Sequence, residues 1–286
     1  MSRLPETVRR ATSQLRPRYR TLTAGRRSLP DFVIVGAQKA ATTSLMRYLK
    51  EHPDIVVEPG VGEVHFFDNH WAKGEHYYRS FFPPVARMER RREQTERVTL
   101  TGEKTPYYLM HPLVPERAAR TIPHARLVAI LRNPVDRAAA HHQMNVETGV
   151  ETLALLDAIA AEPERIDGAL ARMTDGTDPG VRGPVPLYSY AARGRYAEQL
   201  DRWLQWFARD QLLVIRSEDL AHDPDATYDR VLTHLDLAPH RPAFTRHNVA
   251  RHEYAIDPAA RAALDERFRD PNRELADRYG IDWSAS

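Results

Sequence analysis

Cysteine is absent from all 286 residues. That absence excludes disulfides, thiolate metal sites and thiol nucleophiles together, and it fits a reducing compartment. Long hydrophobic runs are also missing. No stretch approaches the ~20 apolar residues of a spanning helix, and no signal-peptide core is present, so a cytoplasmic location is expected. Neither charge dominates: 41 Lys and Arg face 39 Asp and Glu, a formal net charge of +2, which argues against a general nucleic-acid binder. Internal repeats and low-complexity blocks do not occur. The length suits one large α/β domain or two small ones.

What is present is organised. The first thirty residues hold eight Arg and one Glu, and residues 1–29 read as a solvated basic tail or short helix, or as a contact for an anionic partner. Apolar runs at "FVIVG" (32–36), "RVTLTGE" (97–103), "RLVAILR" (126–132) and "LLVIRS" (212–217) predict strands of a buried parallel sheet. Asn133-Pro134, Asp223-Pro224 and Asp257-Pro258 each place a capping side chain before a proline at the first helical position. Tyr196, Leu200, Trp203, Leu204 and Phe207 recur at helical spacing and predict core, as do Tyr228, Val231, Leu232 and Leu235. The Gly- and Pro-rich run that begins at Thr174 predicts a loop insertion over 174–190. The expectation is an α/β fold: a single domain over 30–286 with a central parallel sheet flanked by helices.

The chemistry concentrates behind the first strand, in "GAQKAATTSL" (36–45). Gly36 is expected to turn the chain, and Ala37, Ala40 and Ala41 to keep the loop close to a ligand. Thr42, Thr43 and Ser44 open a helix whose free N–H groups favour an anion, and Lys39 adds full charge. The lysine stands three residues after the glycine, unlike the Gly-Lys-Ser/Thr end of a nucleoside-triphosphate loop. A second coincidence of charge and helix start falls in "LRNPVDR", where Arg132 ends a strand and Arg137 lies in the next helical turn. The competing reading is an Arg paired with a carboxylate across the sheet edge. Two anion sites at neighbouring strand ends suit a ligand with two separated phosphates.

In "GEVHFFD" (62–68), Glu63, His65 and Asp68 are interleaved with Val64, Phe66 and Phe67. Such a carboxylate is a reasonable general base, because burial raises its pKa; alternatively the aromatics simply anchor an exposed loop. A zinc site is not expected from these three. "GEKTPYYL" (102–109) adds Lys104 after a strand, then Tyr107 and Tyr108 as candidate pocket walls.

"GAQKAATTSL", "EVHFFD", "GEKTPYYL" and "PERAARTIPHARLVAILRNPVDRA", in this order and spacing, resemble the sulfotransferases that use 3′-phosphoadenosine 5′-phosphosulfate (PAPS). The likeness is to the heparan-sulfate type: the glucosaminyl 3-O-sulfotransferases, the N-sulfotransferase domain and their bacterial relatives. It is dense from Pro30 to Gln143 and returns at 212–224. The resemblance implies a P-loop-NTPase-like sulfotransferase fold and PAPS as co-substrate, with no metal required. It places Gly36, Lys39, Ala40, Ala41, Thr42 and Thr43 on the 5′-phosphosulfate end and Arg132 on the 3′-phosphate. Arg251, with Arg246 as a further candidate, falls on a basic C-terminal loop against the nucleotide. Glu63 becomes the base and Lys104 the neighbour of the transferring sulfonate, while His65 and Asp68 lie in the acceptor site. Trp71, Lys73, His76, Tyr77, Tyr107, Tyr108 and residues 174–190 form the acceptor side. The acceptor itself is a carbohydrate, glycolipid or small natural product that offers a hydroxyl, or less favourably an amine.

Two positions depart from the family pattern. Ala140 stands where a serine usually also holds the 3′-phosphate, with His141 or Arg137 as candidate replacements. Ala41 stands where glycine is common. The rival functions are a nucleotide kinase on a related fold, disfavoured by the missing Gly-Lys-Ser/Thr, and a nucleotide-binding pseudo-enzyme, motivated by Ala140.

Overall fold

The computed structural model describes residues 19–177, 183–244 and 255–283. Four parallel strands form its sheet: β1 (Phe32–Gly36), β2 (Gly102–Lys104), β3 (Arg126–Leu131) and β4 (Leu212–Arg216), in the order β2-β1-β3-β4. Phe32 pairs with Gly102 on one side and with Arg126 on the other, and Leu127 pairs with Leu212. Both faces are covered, as parallel sheets require. Val33, Val35, Leu127, Ala129, Leu131 and Val214 belong to one core, whereas Phe32, Ile34, Val128, Ile130 and Ile215 belong to the other.

Helices α1 (Thr42–Glu51), α2 (Phe66–Asn69), α3 (Gly74–Arg79) and α4 (Val85–Thr95) separate β1 from β2. Helix α5 (Val114–Thr121) leads to β3, and α6 (Pro134–Glu147), α7 (Leu155–Thr174), α8 (Pro184–Tyr188) and α9 (Tyr196–Leu204) lead to β4. Helices α10 (Ser217–His222), α11 (Pro224–His234) and α12 (Pro258–Tyr279) follow. The three Asx-Pro starts behave as expected: the side chains of Asn133, Asp223 and Asp257 accept from N–H groups of α6, α11 and α12. None of these helices is long and apolar enough to cross a membrane.

Three local expectations change. The strand foreseen over 97–103 pairs with β1 only from Gly102. Upstream, Leu100 bridges to Ile55 and the Thr101 N–H donates to Asp31 Oδ2, which draws these two residues out of the register with β1. The segment foreseen as a loop over 174–190 contains α8; Pro184 fits a first helical turn, and Val185 is fully buried there. The basic N-terminal segment is not solvated throughout. Arg27 is buried and donates to the Phe82 carbonyl at 2.6 Å, and Arg20 pairs with Glu58 at 3.1 Å.

The strand order reverses between β1 and β3, since the chain leaves β1 for one side of the sheet and β3 for the other. Open parallel sheets bind ligands in the crevice at such a point, beyond the carboxyl ends of the strands. The loops after β1 and β3 meet there.

Candidate active site

The loop after β1 is held from below and open above. The Ala37 N–H donates to the Ile130 carbonyl at 2.6 Å, which ties the loop to β3. Gly36 is required by close approach: an added Cβ would lie 2.5 Å from Leu109 Cβ. The left-handed conformations fall instead on Lys39 and Ala41, with φ of 70° and 63°. A residue without a Cβ adopts that region at no steric cost, which is why glycine suits position 41. No side chain caps α1, so the N–H groups of Thr42 and Thr43 at its start suit an anion. Thr42 is buried in that turn and Thr43 is half-buried. Burial and the nearby Arg132 charge lower the Lys39 pKa. The Arg132 guanidinium lies 3.4 Å from the Lys39 carbonyl, so the two cations share one rim.

The second anion site is smaller than the sequence suggested. Two amides at the start of α6 are taken: the Asn133 N–H donates to Glu218 Oε1 at 2.8 Å and the Val135 N–H to Asn133 Oδ1 at 3.0 Å. Arg137 is fully buried and donates to the Tyr190 carbonyl. His141 is equally buried, and desolvation with the charges of Arg193, Arg137 and Lys39 keeps its imidazole neutral. Neither therefore presents a nitrogen at the surface beside the half-buried Ala140. Arg132 remains as the outward cation. Arg246 and Arg251 lie outside the described residues.

The acceptor-side groups form one chain. Lys104 Nζ stands 2.6 Å from Glu63 Oε1, His65 Nε2 3.3 Å from Glu63 Oε2, and His65 Nδ1 2.7 Å from Asp68 Oδ2. Burial acts to raise the Glu63 pKa, but 39% of the side chain is exposed and the raised value expected for a carboxylate among aromatics is not what results. Hydrogen bonds from His65 and Lys104 and their charges outweigh burial and hold the carboxyl at about 2. For His65 desolvation acts downward, yet the two carboxylates lift it to about 10. The imidazole is thus held as a cation between two anions.

Several predicted acceptor residues face inward. Asp68 is buried, and its second oxygen accepts from the Asn69 N–H at 2.7 Å, so it orients His65 and is not exposed to an acceptor. Tyr108 is buried with its hydroxyl turned to the backbone of 66–67. Tyr107 is buried beneath Arg193, whose guanidinium lies 4.7 Å from the ring centre. The two are covered from different sides: Tyr107 packs with Ile166, Ala169 and Met173 of α7, whereas Tyr108 packs with Phe66, Phe67 and Tyr78. Trp71 is half-buried on Phe66 at 5.5 Å, and Lys73 lies over the Tyr77 ring at 4.3 Å. A cavity of about 230 Å³ opens on the other side, lined by Thr43, Arg47, Lys50, Gly62 and Lys104 among others. It joins the helix of the anion loop to the neighbourhood of Glu63.

Two buried groups passed unnoticed in the sequence. Arg193 donates to the Gln38 side chain inside the anion loop and to the Pro186 carbonyl at 3.1 Å; its position in "ARGRY" carries no signal of that contact. Glu103 is buried beside Lys104 and accepts hydroxyl hydrogen bonds. A charged residue inside a strand destined for the sheet was the available sign.

The sulfotransferase domain family matches residues 29–247. Heparan sulfate glucosamine 3-O-sulfotransferase 6 of Homo sapiens is 33% identical over 214 residues, which cover 74% of this chain and 54% of that protein. Bifunctional heparan sulfate N-deacetylase/N-sulfotransferase 1 of Caenorhabditis briggsae is 30% identical over 223 residues, 76% of this chain and 24% of its own. The chain thus spans about half of the first relative and a quarter of the second. Among solved structures, a sulfotransferase from Alicyclobacillus acidocaldarius superposes with a TM-score of 0.68 at 30% identity, covering 90% of this chain and 98% of that one.

Proposed function

Because this chain belongs to the sulfotransferase domain family, we propose that it transfers the sulfuryl group of PAPS to a hydroxyl, or less favourably an amine, of a carbohydrate, glycolipid or small natural-product acceptor. The observation that carries the mechanism is the Lys104–Glu63–His65 chain, joined by a cavity to the uncapped helix start of the anion loop. The loop over 36–43 fits a phosphosulfate: it offers backbone N–H groups, two hydroxyls and an ammonium, with Arg132 on the same rim for the second phosphate.

Sulfuryl transfer is an in-line displacement governed by positioning and charge, like phosphoryl transfer. The acceptor oxygen attacks sulfur, the bond from sulfur to the bridging phosphate oxygen breaks, and 3′-phosphoadenosine 5′-phosphate (PAP) departs. Glu63 takes the acceptor proton. At rest it is a weak base, since Lys104 and His65 hold its pKa at about 2. A sulfonate that draws Lys104 away removes one of those cations and raises its proton affinity as the reactants assemble. Lys39 and Lys104 then stabilise charge on the sulfonate and the departing oxygen.

Incubation with radiolabelled PAPS and a panel of hydroxyl and amine acceptors tests the activity. Glu63→Gln is expected to bind PAP normally by calorimetry and to lose transfer by about 10²–10⁴-fold. Near-normal turnover in that variant would remove Glu63 as the base, and wild-type protein that fails to bind PAP would sink the transferase reading.

A further inference from the structure

Behind Glu63 and His65 lies a carboxylate that this mechanism does not use. Glu103 sits in β2 with only 2% of its surface exposed, and a buried carboxylate is costly unless its lone pairs are filled. Hydroxyls fill them. Tyr78 donates to Oε1 at 2.6 Å and Tyr108 at 3.4 Å, while Thr105 donates to Oε2 at 2.8 Å.

Two of these hydroxyls turn their lone pairs to the Glu63 segment. Thr105 Oγ1 accepts the N–H of Val64 at 3.1 Å and of His65 at 3.4 Å. Tyr108 Oη accepts the N–H of Phe66 at 2.8 Å and of Phe67 at 3.4 Å. Four consecutive amides therefore rest on two hydroxyls whose protons are committed to one carboxylate. The segment needs such a hold, because His65 adopts a left-handed φ of 51° that non-glycine residues disfavour. That turn sets the 3.3 Å His65–Glu63 and 2.7 Å His65–Asp68 contacts.

We propose that Glu103 is a positioning residue: through Thr105 and Tyr108 its carboxylate fixes the turn at His65 and so aims Glu63 at the acceptor. Its value for catalysis rests on Glu63 being the base. A carboxylate accepts only, so every neighbouring hydroxyl must point its proton inward. An amide, or a protonated acid, would present a donor to one of them and leave that hydroxyl's proton without an acceptor.

The arrangement is therefore pH-sensitive. Burial lifts the Glu103 pKa to about 7, against the hydrogen bonds of Tyr78 and Thr105, with Asp68 acting upward and His65 downward. The titratable groups facing it are Tyr78 of α3, Tyr108 beyond β2, Asp68 of α2 and His65. Both tyrosines are pushed well above their ordinary range by burial. Glu63 at about 2 and His65 at about 10 do not change charge near neutrality.

The test is amide hydrogen exchange of residues 64–67 by NMR on the full chain, expressed as protection factors. Wild-type protection should fall by about tenfold or more between pH 8 and pH 6. Glu103→Gln should show the reduced protection at both pH values and a lowered His65 titration midpoint. Thr105→Val should reduce protection at 64 and 65 alone, and Thr105→Ser should restore it. PAP affinity by calorimetry should stay the same in all three. Protection unchanged in both Glu103→Gln and Thr105→Val, or insensitive to pH in the wild type, overturns the proposal. Absence of PAP binding in the wild type would instead strike the functional reading and leave the exchange result standing.

Discussion

The anion loop over 36–43 and the Glu63–Asp68 segment lie at the same sheet edge but are built on opposite plans. The loop uses its backbone: an uncapped helix start, left-handed residues at 39 and 41, and two cations on the rim. The segment uses side chains in fixed contact, set from behind by buried hydroxyls and a carboxylate. A backbone cradle tolerates exchange of its side chains as long as its conformation survives. A side-chain relay fails when one hidden partner is lost, even where nothing at the surface has changed.

The contrast can be broken most strongly at the one loop side chain that carries full charge. Lys39→Ala should weaken PAP binding by about 10- to 100-fold, the scale of one charge-assisted hydrogen bond, as measured by calorimetry. It should leave the protection of amides 64–67 intact; a parallel loss there would show that the two regions are a single unit.

A smaller effect is expected at the position where the family serine is missing. Ala140→Ser should tighten PAP binding by about two- to tenfold, one neutral hydrogen bond. Ala140 is half-buried while the candidate substitutes Arg137 and His141 are enclosed. Unchanged affinity would mean that the 3′-phosphate does not reach this turn of α6.

Smallest is Ala41→Gly. Relief of the 63° φ against the added chain entropy of glycine should raise stability by no more than about 1 kcal/mol, read as a slightly higher Tm. PAP affinity should hardly move, because the loop presents backbone there. A marked loss of affinity would show that the Ala41 methyl group itself contributes to the cradle.

Much of this protein was legible in its sequence, because the signals were local. Near-continuous apolar runs announced three of the four strands almost to the residue, and the Asx-Pro pairs announced three helix starts. Lys39 and Arg132 were legible for the same reason: strand, loop and helix start are neighbours in the chain. The tertiary structure decided what depends on approach from elsewhere. The β1 pairing begins only at Gly102, with Leu100 bridging to Ile55 instead, and Tyr107 and Tyr108 turn into the core. Glu63 is held at about 2 by a lysine from β2 and by the imidazole two residues on, although burial alone points upward. Glu103 reads in the sequence as one charged letter in a short strand. Its hydroxyl partners come from α3 and from the turn after β2. Periodicity and capping report what a residue does to its own backbone, whereas pKa and aim are set by groups that only the fold brings within a few ångströms.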